Sequence, residues 1–152
     1  GDSRCADSVS AVGRDFSIVV TSPPYYEMRT YVEDQWLRNW FLGGSDRVVY
    51  GASTQLEHAG KHAFTESLGA VWRNMAQTQS DELHMYVRFG IIPSAKAEPK
   101  SLIRESLESS GVSWRVVSTR PAATASSGKR QADHMLSSST AATEYDFHVC
   151  RI

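Results

Sequence analysis

Phe16-Ser17-Ile18-Val19-Val20 runs directly into Thr21-Ser22-Pro23-Pro24-Tyr25-Tyr26. The first stretch is apolar and β-branched, with Gly13 upstream and two prolines downstream, which predicts a buried strand over 15–20. Each proline fixes its own φ and removes a backbone donor. Each also biases the residue before it toward extended geometry. The strand therefore stops in a stiff turn with free carbonyl oxygens, a hydroxyl at its start and an aromatic ring at its end. Those parts suit holding a planar base by its exocyclic amine and stacking on its face.

Working outward, residues 1–4 read as the end of a strand and 5–12 as a short helix or loop. Residues 34–42 predict a helix, because Trp36 and Trp40, and Leu37 and Phe41, are spaced i, i+4; Gly43-Gly44 ends it. Residues 45–60 are polar and read as loop. A longer helix is predicted over 62–77, with Phe64, Leu68, Val71, Trp72 and Met75 on one face. Trp36, Trp40 and Trp72 are expected in the core, since aromatics at helical spacing usually pack. Residues 83–92 predict a strand stopped by Pro93. Residues 99–110 predict a helix opened by Pro99 and closed by Gly111. Strands are expected at 112–119 and 144–152, with small-residue and Ser/Thr-rich loop between them.

Strands alternating with helices predict a mostly parallel α/β sheet. The last two strands have no helix between them, so they are expected to form an antiparallel hairpin at the sheet edge.

At 152 residues the chain reads as one domain, 1–152. A hydrophobic share of 41% with 22% charged residues fits an ordinary globular protein. No stretch is long and apolar enough to span a membrane and no signal peptide is visible, so a cytoplasmic location is expected. A net charge of −1 excludes binding to nucleic acid through bulk charge, but leaves room for a local basic face. Cys5 and Cys150 match no metal-ligand spacing and are expected as buried free thiols. His58 and His62 stand i, i+4 but lack a third ligand, and His134 has no partner at metal spacing, so no metal is expected.

Thr21-Ser22-Pro23-Pro24-Tyr25-Tyr26 resembles the catalytic motif of the amino-group DNA methyltransferases, which methylate cytosine N4 or adenine N6 with S-adenosylmethionine. The family motif reads Asp/Asn/Ser-Pro-Pro-aromatic, and the preceding strand, the serine and the aromatic stand here in that order. The resemblance implies a class I methyltransferase fold: a Rossmann-like three-layer sandwich, represented by its C-terminal part with an antiparallel edge hairpin. It implies S-adenosylmethionine as cofactor and DNA as partner, in a restriction-modification or solitary methylation system. It assigns the base chemistry to Ser22, Pro23, Pro24 and Tyr25. Ser22 and the Pro23 carbonyl would take the amine hydrogens and Tyr25 would stack on a flipped base. Asp2, Ser3 and Thr21 would lie on the cofactor side. Tyr26, Arg29, Tyr31, Lys129 and Arg130 would touch DNA, the last two within the basic cluster 128–134. Serine in place of aspartate leans toward cytosine N4.

The sequence also departs from the family. It contains no Gly-x-Gly turn for the methionine part of the cofactor. The resemblance therefore covers a partial domain, with the first strands and the Gly-rich loop missing, completed by other sequence or a second subunit. Where relatives often carry a small residue after the tyrosines, Glu27-Met28 stand here. Neither cysteine follows a proline as a cytosine-C5 enzyme requires, and no Gly-x-Ser-x-Gly elbow is present. The rival reading is a catalytically silent, methyltransferase-like DNA-binding or scaffold subunit. A third is an RNA or protein-amide methyltransferase, against which Ser22 argues because those enzymes usually begin the motif with asparagine.

Overall fold

The computed structural model describes residues 3–11, 13, 15–27, 31–48, 60–78, 80–92, 95–122 and 143–152. In chain order the elements are α1 (Ala6–Ser10), β1 (Ile18–Thr21), α2 (Tyr31–Phe41), α3 (Lys61–Met75), β2 (His84–Ile91), α4 (Pro99–Ser109), β3 (Trp114–Pro121) and β4 (Thr143–Arg151). Ser3 and Arg4 form a turn rather than the end of a strand.

The four strands make one sheet in the order β1-β2-β4-β3. β1 pairs parallel with β2, and β4 is antiparallel to both its neighbours. β1, β2 and β3 therefore run one way and β4 runs back between the last two. β3 and β4 form the antiparallel pair expected from the absence of a helix between them, with β3 at the edge. A register shift between Val116 and Ser118 marks a bulge in that edge strand.

One face of the sheet is buried. Met85, Val87 and Phe89 of β2 and Phe147 and Val149 of β4 meet Phe64, Leu68 and Trp72 of α3 and Leu102, Ile103 and Leu107 of α4 in one cluster. The i, i+4, i+8 spacing of Phe64, Leu68 and Trp72 puts them on one stripe of α3, so a single helix face covers the sheet. Burying each such side chain stabilises the fold by roughly 1.5–3 kcal/mol relative to leaving it exposed.

α4 starts on a cap that its sequence supplies. Pro99 stands in the first turn, and the Glu98 carboxylate accepts from the Ser101 backbone N–H at 2.7 Å. α4 also catches two tryptophans. The Trp72 indole N–H donates to Ser106 Oγ at 2.9 Å and the Trp114 indole N–H to Ser110 Oγ at 3.1 Å. Each serine hydroxyl passes its own proton back to the carbonyl three residues earlier, Ile103 or Leu107. Arg73 of α3 donates to the Ser110 and Ser109 carbonyls at 2.8 and 3.1 Å, satisfying acceptors at the C-terminal end of α4.

The other face is open. Ile18 is 60% exposed, Val20 77% and Tyr86 42%. Where three layers were expected, the described residues build two: a sheet and the α3–α4 pair. Trp72 is a core residue as expected. Trp40 is not: α2 leaves Leu37, Trp40, Phe41 and Leu42 exposed. Trp36 stacks on Trp40 at 6.4 Å and donates its indole N–H to the Ser45 carbonyl. Cys150 is buried, but Cys5 is exposed, against the expectation for both thiols; neither is in a disulfide. No described helix is long and apolar enough to cross a membrane.

Candidate functional site

The proline motif sits against β2 rather than hanging free at a sheet edge. Thr21 pairs with Val87, and Tyr26 forms an isolated parallel bridge with Ile91. Between those two pairings lie four residues on one side, 22–25, and three on the other, 88–90. The motif is thus a one-residue bulge, clamped to the same neighbouring strand at both ends. The prolines explain where the ladder breaks, because neither has an N–H to give to β2.

The clamp decides which way each side chain goes. Ser22 is exposed, Pro23 is buried, and Pro24 and Tyr25 are half-buried. Tyr26 is only 6% exposed, and its ring meets Phe64 edge-on with centroids 5.2 Å apart. Tyr26 is therefore a core residue that anchors the end of the bulge, and its ring is not available to DNA. Immediately after it, Glu27 adopts φ 65°, a left-handed backbone that a side chain of its size rarely takes.

Ser22 and Thr21 line a groove of about 750 Å³ that runs over the open face of the sheet. Tyr86, Arg88, Asp146, His148, Ser118 and Arg120 line the rest of its polar surface. The register explains why they meet. Across the strands it aligns Ile18, His84, Cys150 and Arg115; then Val20, Tyr86, His148 and Ser118; then Arg88, Asp146 and Arg120.

Within those rows the side chains are organised. The rings of Tyr86 and His148 stack with centroids 4.5 Å apart and planes 8° from parallel. His84 Nδ1 lies 2.9 Å from His148 Nε2, and its Nε2 lies 2.9 Å from Glu82 Oε1. Arg88 grips Asp146 with two parallel bonds of 2.8 and 2.9 Å. Those bonds hold the Asp146 carboxyl below its usual range and the Arg88 guanidinium above its own, against a smaller opposing effect of burial. Glu144, next along β4, is pushed up by burial and then by the charge of Asp146.

The cofactor-side assignments do not converge. Ser3 lines a second groove with Ser8, Asp15, Ile18 and Met75, and its carbonyl accepts from the Asn74 side chain at 3.0 Å. Thr21 lines the groove on the open sheet face. The described residues therefore do not assemble a pocket fitting S-adenosylmethionine. Asp2, Arg29, Lys129, Arg130, His58 and the rest of the 128–134 cluster lie outside the described residues, as does the side chain of Tyr31. Among the described residues, no three His, Cys, Asp or Glu side chains come together as metal ligands.

Sequence reading missed the groove's wall on β2 and β4. The signal was present as strict alternation: His84, Tyr86 and Arg88 against Met85, Val87 and Phe89, and Asp146 and His148 against Phe147 and Val149. Such alternation marks a strand with one covered face and one face toward water.

No family model, curated protein or solved structure matches the chain.

Proposed function

We propose that this chain carries the base-recognition part of an S-adenosylmethionine-dependent DNA amino-methyltransferase acting on cytosine N4 or adenine N6. The observation that carries the reading is the clamped bulge. Ser22-Pro23-Pro24-Tyr25 follows the carboxyl end of a strand in parallel pairing, where open α/β sheets bind their ligands. Ser22 opens onto a groove there. The mixed strand order with its antiparallel last pair is a second support, since the resemblance calls for it.

In this reading the chain's own residues position and do not react. The Ser22 hydroxyl and the Pro23 carbonyl accept the two hydrogens of the exocyclic amine. The amine lone pair is then directed away from both. The Tyr25 ring stacks on the extruded base. Fixing that orientation is the main contribution to rate, because the donor of the methyl group is already activated.

The test is tritium transfer from labelled S-adenosylmethionine to mixed-sequence DNA, with Tyr25→Ala beside the parent chain and calorimetry of S-adenosylmethionine binding. Transfer that falls at least a hundredfold in Tyr25→Ala, with the circular dichroism spectrum unchanged, supports the reading. Transfer that survives Tyr25→Ala overturns the assignment of the motif. Absence of both transfer and cofactor binding overturns the enzyme and favours the silent DNA-binding module, the reading supported by the lack of a Gly-x-Gly turn.

A further inference from the structure

We propose that the open face of the sheet is a platform for single-stranded DNA, with a base stacked on the His148 ring above Ser118 and phosphates held by Arg120 and Arg115. This goes beyond the methylation reading and does not depend on it. Three observations carry it. First, two aromatic rings stand face to face on the two central strands, Tyr86 on β2 and His148 on β4. In their row the column continues to Val20 on one side and to Ser118 on the other. Serine is the smallest side chain of the four, so His148 is the last ring of the column, and Ser118 beside it lines the groove.

Second, the charges around that ring suit phosphate. Register places Arg115 and Arg120 on either side of Ser118 along β3, and Arg88 lies across the sheet in the Arg120 row. Asp146 is the acid within these rows, and it is already engaged bidentately by Arg88. Arg120 makes no ion pair among the described residues. Those three rows thus hold three arginines against one acid, in a chain whose formal charge is −1. Third, the groove continues past Tyr86 to the hydroxyls of Thr21 and Ser22, which can bond sugar and phosphate oxygens.

Aromatic rings on the central strands of an exposed sheet, with arginines beside them, are how such sheets take unpaired bases. A duplex keeps its bases stacked on one another, so it cannot stack one on His148. An apolar peptide would leave Arg120 and Arg115 without acceptors.

The experiment is fluorescence anisotropy of a labelled oligothymidylate with the full chain, over a series of salt concentrations. Arg120→Glu, Tyr86→Ala and His148→Ala are compared with Arg104→Glu, a substitution on the exposed side of α4. The platform predicts at least tenfold weaker binding for Arg120→Glu and for each ring deletion. It predicts a log–log salt slope smaller by about 1 for Arg120→Glu. It predicts Arg104→Glu within twofold of the parent. Thymidine monophosphate should compete only at concentrations at least a hundredfold higher. Absence of oligomer binding, indifference to Arg120→Glu, or a mononucleotide binding as tightly as the oligomer each overturns the proposal. Methyl transfer is read on the labelled donor and the platform on oligonucleotide anisotropy with Arg120→Glu, so the two readings can fail separately.

Discussion

Glu27 is the strained residue of the described backbone, the one non-glycine at positive φ there. It stands directly after the clamped Tyr26, where the chain leaves β2. A left-handed residue with a Cβ costs roughly 1–2 kcal/mol. Glu27→Gly should therefore stabilise the chain by about 1 kcal/mol after its extra unfolded-state entropy is subtracted, read as a higher urea midpoint at unchanged slope. Ser106 is the opposite case, a residue whose whole role is to satisfy a neighbour. It is fully buried between the Trp72 indole and the Ile103 carbonyl. Ser106→Ala leaves that buried N–H unpaired, and the expected loss is about 1–3 kcal/mol by the same measurement. Nothing in the one-dimensional pattern announces Ser106, because a serine in a helix most often faces water. The fate of Tyr26 was equally hidden. Two adjacent tyrosines in a motif look equivalent until the ladder resumes at the second and turns its ring inward.

At the scale of elements, α3 and α4 lie close because Gly69 lets them. A Cβ at Gly69 would stand 2.9 Å from the Ser106 carbonyl oxygen and 2.8 Å from Ser109 Oγ. Helix propensity alone favours alanine there by about 1 kcal/mol. The clash involves backbone, so the helices must separate, and overpacking of this kind costs roughly 1–3 kcal/mol. Gly69→Ala is expected to lower the melting temperature despite its better propensity, and a rise would show that the helices can part cheaply.

The elements themselves were largely legible. The stripe of Phe64, Leu68 and Trp72, the Pro99 start and Gly111 stop of α4, and the helix-free connection before β4 each carry a local cause that sequence displays. α2 shows the limit of that reading. Its i, i+4 aromatics correctly announce a helix, but a stripe says only that one side is apolar, and here that side remains exposed. The proline bulge was legible as a strand's end. Its return to β2 at Tyr26 was not, since a pairing between residues 26 and 91 has no signature in either stretch alone.

For the molecule as a whole, acid is the informative variable. Asp146 and Glu98 both have carboxyls held below their ordinary range. For Asp146 the cause is the Arg88 hydrogen bonds. For Glu98 burial acts the other way, but bonds from the Lys100 and Ser101 N–H groups and the Ser101 hydroxyl outweigh it. A depressed carboxyl contributes stability above its unfolded value, and that contribution is lost as pH falls through the folded one. Glu144, held above its ordinary range by burial, has the opposite sign and opposes folding once pH rises past the normal glutamate value. Stability is therefore expected to fall as pH drops below the usual carboxylate range. Asp146→Asn should flatten part of that fall in urea titrations at successive pH values. Glu144→Gln should stabilise at neutral pH and lose its advantage in acid. The expected α/β sheet with an antiparallel last pair is present, but the described residues build no third layer, because strand–helix alternation does not say which face a helix covers. The face count is written instead in the two-residue period of β2 and β4.

The two rims of the sheet differ in a way that bears on how the chain behaves when crowded. β3 carries a bulge at Val116–Ser118 and ends in Pro121, devices that spoil a template for another strand. β1 is guarded otherwise, by its four-residue length and by the Pro23-Pro24 bulge that follows it, but Ile18 and Val20 are bare on its face. Among the described residues, Ile18 and Val20 are thus where another chain would meet bare apolar surface at a rim of the sheet. A single lysine at Val20 would serve as a gatekeeper against that contact.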